Sequence, residues 1–123
     1  ANGDPSGLDR PLDRAFSEGA SPIGILRAVA RHLERLHLAL GMVDNGDTFD
    51  QALSKLKPPI IYKFKSEFLK QMRRWQTDRL AMALALAIEA EIDCKSTGFP
   101  AAAGCHRALM RIAQAARAGN TRT

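Results

Sequence analysis

Tyrosine and tryptophan occur once each in this chain of 123 residues, cysteine twice and histidine three times. Each scarcity excludes something. With valine, threonine, tyrosine and tryptophan all sparse, a strand-rich fold is disfavoured. Cys94 and Cys105 are eleven apart, which matches no zinc motif, and two cysteines are too few for a disulfide-dense secreted scaffold. They read as reduced, half-buried thiols of a cytosolic protein. Long apolar runs are also missing. The longest, Leu80–Ile88, is about half of the ~18 residues a membrane span needs, so no membrane partner is expected. The opening residues carry no signal-peptide pattern, and the expected location is cytoplasmic. Ala1–Gly7 has a linker-like composition and there is no initiator methionine, so the chain is expected to be a piece of a longer protein.

Recognisable catalytic patterns are absent as well. There is no G-x-x-x-x-G-K-[ST] and no glycine-rich phosphate loop, so no nucleotide cofactor is expected. His32 and His37 are five apart, which puts them on different sides of a helix, whereas metal ligation favours i and i+4. Cys105 and His106 are adjacent, so on a helix they point about 100° apart and cannot act as a nucleophile–base pair. Catalytic, cofactor and metal residues are all expected to be none.

What remains is a helical chain. Alanine, leucine and arginine dominate, all good helix formers, and 46% of residues are hydrophobic. That suffices for one core without disulfides or metals. The first segment, Leu8–Glu18, aligns Leu8, Leu12, Ala15 and Phe16, with Gly19 as its stop. Ser21-Pro22 is a start signal: serine caps and proline fits the first helical position. A long helix then runs to about Val43, with Leu26, Val29, Ala30, Leu33, Leu36, Leu40 and Val43 on one face. Asp44–Asp47 reads as a helix–helix loop. Thr48 or Asp47 caps a short helix through Leu56, facing in with Phe49, Ala52, Leu53 and Leu56, and Pro58-Pro59 ends it.

The next helix is expected to restart near Ile60. Ile61, Phe64, Phe68, Met72 and Trp75 then form one apolar stripe. Lys63, Glu67, Lys70 and Arg74 form the opposite row, in which Lys63–Glu67 and Glu67–Lys70 can pair. Thr77 is the expected cap of a central helix that is apolar nearly all round at Leu80–Ile88, with Ala81, Ala83, Ala85 and Ala87 allowing close approach. Gly98 is its expected stop. Pro100 opens a last helix lined by Cys105, Leu109, Ile112 and Ala116. The expected fold is an all-α single compact bundle of about six helices with no sheet: a linker at 1–7, a helical domain at 8–117 and a frayed tail at 118–123.

Charge is uneven. The net charge of +5 resolves into −3 for residues 1–54, +6 for 55–79 and +2 for 80–123. The basic features are the row on the Ile60–Trp75 helix and the i, i+4 stack Arg27, Arg31 and Arg35, whose mutual repulsion Glu34 partly relieves. They are either solvated faces or an interface for an acidic surface, protein or nucleic acid. Residues 55–79 could serve a stand-alone helical nucleic-acid-binding domain, with Leu53–Phe68 passing for a helix-turn-helix. Few Asn and Gln, and aromatics placed on the inward stripe, argue against base reading.

Three stretches taken together carry a resemblance: "GDPSGLDRPLDRAFSEGASPIGILRAVARHLERLHLA" (Gly3–Ala39), "LKPPIIYKFKSEFLKQMRRW" (Leu56–Trp75) and "EIDCKSTGFPAAAGCHRALMRIA" (Glu91–Ala113). In order and spacing the chain resembles the C-terminal domain of the delta subunit of bacterial DNA polymerase III, the clamp-loader subunit, in its alphaproteobacterial form. The resemblance implies an all-α collar domain. Such domains pack side by side in a ring that holds together the complex loading the sliding clamp onto DNA during replication. It implies a subunit of a DNA polymerase holoenzyme, with the delta-prime and gamma/tau subunits as partners. The sliding clamp would be met only through domains that lie outside this chain, and DNA contact would be weak. The candidate subunit-interface residues are Arg27, Arg31, Arg35, Lys63, Lys70, Arg73 and Arg74.

Overall fold

The computed structural model describes residues 9–120, and among them there are six α-helices and no strand. The helices are α1 (Asp9–Ser17), α2 (Pro22–Asp44), α3 (Phe49–Lys55), α4 (Lys65–Arg74), α5 (Thr77–Cys94) and α6 (Ala101–Asn120), with a 3-10 turn at Tyr62–Phe64. The all-α expectation is met. The expected linker at 1–7 and the last three residues of the expected tail lie outside the described residues, and α6 is helical through Asn120.

α2 is the centre because it is long and carries an apolar stripe on one side. Leu26, Val29, Leu33 and Leu36 are wholly buried there. Burying a leucine side chain contributes about 1.5–3 kcal/mol, so this stripe dominates the core. α5 packs along both α2 and α6, while α1, α3 and α4 rest on α2. Leu80 and Ile112 complete the buried centre from α5 and α6. Ala83 and Ala87, both fully buried, present small side chains where α5 meets its neighbours, which lets backbones approach closely.

The helix ends follow local chemistry. Ser21 Oγ accepts from the Gly24 amide at 3.1 Å, and Pro22 opens α2. Thr48 forms a capping box: its Oγ1 accepts from the Gln51 amide at 3.1 Å, and its own amide donates to Gln51 Oε1 at 2.9 Å. Gly19 ends α1 with φ +72°, a conformation in which a Cβ is strained. Asn45-Gly46 is a helix–helix loop rather than a hairpin.

Six details differ from expectation. Ile61 is extended (φ −61°, ψ 135°), and helix α4 begins only at Lys65. Two consecutive prolines favour extended backbone before them, and the chain regains helical geometry through the 3-10 turn. The periodic stripe therefore does not reach Ile61, which is 62% exposed, and Phe64 is only half-buried, while Phe68, Met72 and Trp75 are buried. Thr77 is not a cap. Gln76 holds the N-cap position but its side chain does not cap the helix, and the Thr77 hydroxyl donates to Asp44 Oδ2 at 3.3 Å, tying the start of α5 to the end of α2. α5 stops at Cys94, with Lys95 as C-cap, and Gly98 (φ +83°) sits in the following turn, where the Phe99 amide donates to the Ser96 carbonyl. α5 is not covered all round: Ala81, Met82, Ala85, Ile88 and Ile92 are exposed. Phe16 of α1 is 60% exposed, because α1 is short and rests on α2 through Ala15. Glu67 forms no ion pair with Lys63 or Lys70; the nearby pair is Lys65–Asp50 at 3.5 Å, between α4 and α3.

Candidate interaction groove

The segment after the two prolines helps to form a groove. Arg35 of α2 donates to the Pro58 carbonyl, which holds the extended Pro59–Ile61 segment across from α2. A groove of about 570 Å³ opens between α1, α2 and residues 59–71. Arg14, Arg27, Arg31 and Arg35 stand along one side, and Ile60, Ile61 and Phe64 form an apolar wall on the other. Glu18 and Glu67 also line it.

The arginines are not equivalent. Arg14 pairs with Glu18 at 3.3 Å, both highly exposed, a geometry that contributes little. Arg27 reaches across to α5 and binds Glu91 at 3.0 Å, and Lys95 shares that carboxylate at 3.1 Å. The bonds from Arg27 and Lys95 hold the Glu91 carboxyl below the usual carboxylate range. Among the described residues Arg31 has no ion-pair partner, and it is exposed. Glu34 forms no ion pair with Arg27, Arg31 or Arg35; Glu91 and the Pro58 carbonyl take two of the three guanidiniums.

His32 and Gln71 form the floor. The Gln71 carbonyl oxygen, on α4, accepts from His32 Nε2 at 2.6 Å, which places the ring proton on Nε2. The ring meets Phe68 edge-on, with centroids 6.1 Å apart and planes at 85°. Burial lowers the His32 pKa; the bond to Gln71 opposes this and the Arg35 charge adds to it. This pair joins α2 to α4 and was not among the sequence-derived candidates. Nothing in the spacing of His32 and Gln71, thirty-nine residues apart, pairs them.

The remaining candidates lie elsewhere. Lys63 sits over the Phe64 ring at 5.3 Å, at the groove's edge. Arg73 lies over the Phe49 ring of α3 at 5.2 Å. Both are within the ~6 Å range of a cation–π contact. Lys70 and Arg74 are exposed on the outer side of α4. The structure therefore gathers Arg27, Arg31 and Arg35 in one groove with Lys63 at its edge, and leaves Lys70, Arg73 and Arg74 on another side. The cations and aromatics separate by helix face along Phe68, Met72 and Trp75, yet two flexible cations fold back onto rings.

Cys94 and Cys105 are free and buried. Burial raises both thiols, the first-named cause in each case, which makes them poor nucleophiles. Among the described residues no group of three or more His, Cys, Asp or Glu is placed to hold a metal. No helix among them is long and apolar enough to cross a membrane.

No family model and no solved structure matches the chain. A curated protein of Rickettsia prowazekii (strain Madrid E), described as "Probable DNA polymerase III subunit delta", is 30% identical over 92 residues. The match covers 75% of this chain and 29% of that protein, so the chain spans under a third of its relative's length. An all-helical domain whose sequence aligns along three quarters of its length with that protein is a relative of the delta subunit of DNA polymerase III.

Proposed function

We propose that residues 8–117 form the C-terminal collar domain of a clamp-loader delta subunit and assemble with the delta-prime and gamma/tau subunits in DNA replication, in the cytoplasm. The similarity to a delta subunit is the observation that carries this reading. The fold supports it: a helical domain with an arginine-lined groove facing an apolar wall has the anatomy of a protein interface, in which arginine is enriched. On this reading the domain is not itself an enzyme. It contributes to a polymerase holoenzyme by holding a subunit in place, and clamp contact belongs to other parts of the parent subunit.

The test is assembly. The parent subunit, with and without residues 1–123, is mixed with delta-prime and gamma/tau and resolved by size-exclusion chromatography. The full subunit is expected to enter the complex and the shortened one to stay out. Intact assembly without these residues would end this reading. The alternative, direct nucleic-acid binding by the 55–79 region, predicts affinity that falls with salt at a slope of about 0.9 per phosphate contact. The geometry favours it less, because Lys63 and Arg73, two of that region's cations, lie over the Phe64 and Phe49 rings. Absence of duplex and single-strand binding at about 50 mM salt, where backbone contacts are strong, removes it.

A further inference from the structure

Cys94 and Cys105 meet where α5 turns into α6. Cys94 is the last residue of α5, and its thiol donates across the turn, at 3.6 Å, to the carbonyl of Ala101, the first residue of α6. In an α-helix the amide four residues further on bonds that same carbonyl, and the residue there is Cys105. Helical side chains lean back toward the N-terminus, so the Cys105 side chain leans over the turn that Cys94 touches. One peptide oxygen is thus neighbour to the Cys94 sulfur and to the backbone that carries Cys105. Both residues are buried, 8% and 5% exposed, in one apolar core. Burial raises the Cys105 thiol most, and the charge of a Cys94 thiolate adds to it, an effect that falls with distance. The chain between them is held in a tight turn, with Gly98 at φ +83° and the Phe99 amide donating to the Ser96 carbonyl at 3.2 Å.

We propose that Cys94 and Cys105 are a redox pair, a dithiol under reducing conditions that closes to a disulfide by exchange with a low-molecular-weight disulfide of the glutathione class and staples the end of α5 to the start of α6. One protein thiolate attacks a sulfur of the reagent, forming a mixed disulfide and releasing one small thiolate. The other protein thiolate then attacks the protein-side sulfur of that bond and releases the second. In sum, two protein thiols give up two electrons and two protons, and one small disulfide becomes two small thiols. Cys94 is the entry sulfur, because it ends a helix beside the exposed residues Lys95, Ser96, Thr97 and Gly98. Burial raises both thiols, which keeps thiolate scarce and makes the first attack slow. The end of α5 also carries Glu91, the carboxylate that Arg27 and Lys95 share, so the staple steadies the residue that anchors one of the groove's arginines.

The full subunit containing this chain, kept folded, is incubated with excess oxidised glutathione, alkylated, digested with trypsin and mapped by mass spectrometry. Trypsin cuts after Lys95, between the two cysteines, so the disulfide is read as peptides 80–95 and 96–107 joined, lighter by two hydrogens than their sum. The joined pair is expected as the main product at these positions, and dithiothreitol should return both cysteines to thiols. Hydrogen exchange of the amides at the end of α5 and the start of α6 should slow by about tenfold or more on closure, because the link restrains local opening. Cys105→Ala, treated alike, should stop at a glutathione adduct on Cys94 and show no such slowing. Two cysteines recovered as alkylated thiols, or each carrying its own glutathione with no link, would overturn the pairing. So would a link that forms only in urea, since the folded turn would then not bring the sulfurs together. A link that forms in the folded subunit but leaves exchange unchanged refutes the staple.

Discussion

Replacing Gln71 with leucine isolates the bond that fixes α4 on α2. Gln71 is buried and its Oε1 accepts from His32 Nε2 at 2.6 Å. Leucine has similar volume, so packing changes little, but the His32 N–H is left facing an apolar group. An unsatisfied donor of this kind costs about 1–3 kcal/mol. His32→Leu alone strands the Gln71 carbonyl oxygen at a similar cost. The double replacement removes both polar partners and places apolar groups face to face beside Phe68, which can be nearly neutral. The two singles are therefore expected to be non-additive by about 1–3 kcal/mol. Urea unfolding followed by circular dichroism at pH 8, where His32 is neutral in every state, gives all four stabilities. A domain of this size has a total of about 5–15 kcal/mol, so the coupling is well within measurement. A cost below about 0.5 kcal/mol for Gln71→Leu, with the double mutant equal to the sum of the singles, would show that groove water satisfies the imidazole and that the pair does not hold α4.

The same histidine sets an acid limb. Its folded pKa lies below the ordinary value, so the unfolded chain binds the proton first. Stability is complete above the unfolded value of about 6.5 and falls as pH drops through that value toward the folded one, with a slope of at most about 1.4 kcal/mol per pH unit; unfolding titrations from pH 8 to 5 should show this slope, and His32→Leu should remove it. Caps separate the true helix starts from the false one: Ser21→Ala and Thr48→Ala should each cost about 1 kcal/mol in denaturant unfolding, whereas Thr77→Ala should cost less than half as much, because Thr77 lies inside α5 and caps nothing. At Gly104 of α6 an added Cβ would collide with the Phe99 ring. The helix-propensity gain of about 1 kcal/mol is then outweighed by overpacking of about 1–3, so Gly104→Ala should lower the melting temperature, and combining it with Phe99→Leu should restore it.

The parts of this fold legible in the sequence are those fixed by neighbours three or four positions away. The stripe from Leu26 to Leu40, the caps at Ser21 and Thr48 and the break at Pro58-Pro59 are local physics, and they settle the helix count before any packing is known. Thr77 misled because a threonine before an apolar helix is a valid cap only if its side chain is free to turn back, and here Asp44 of another helix competes for its hydroxyl. The groove needed tertiary contact. Its arginines are spaced at i, i+4 on α2 and are visible as a set, but Arg14 joins them only because α1 packs on α2, and the apolar wall exists only because the residues after the prolines stay extended. The hardest feature to foresee is the bare side of α5. Periodicity reports whether a helix can be covered on a given face, and Leu80–Ile88 is apolar on nearly all of them. Which of those faces the domain itself covers is decided by where α2 and α6 lie. A helix that is apolar all round and covered on one side only has more burial capacity than its own domain uses.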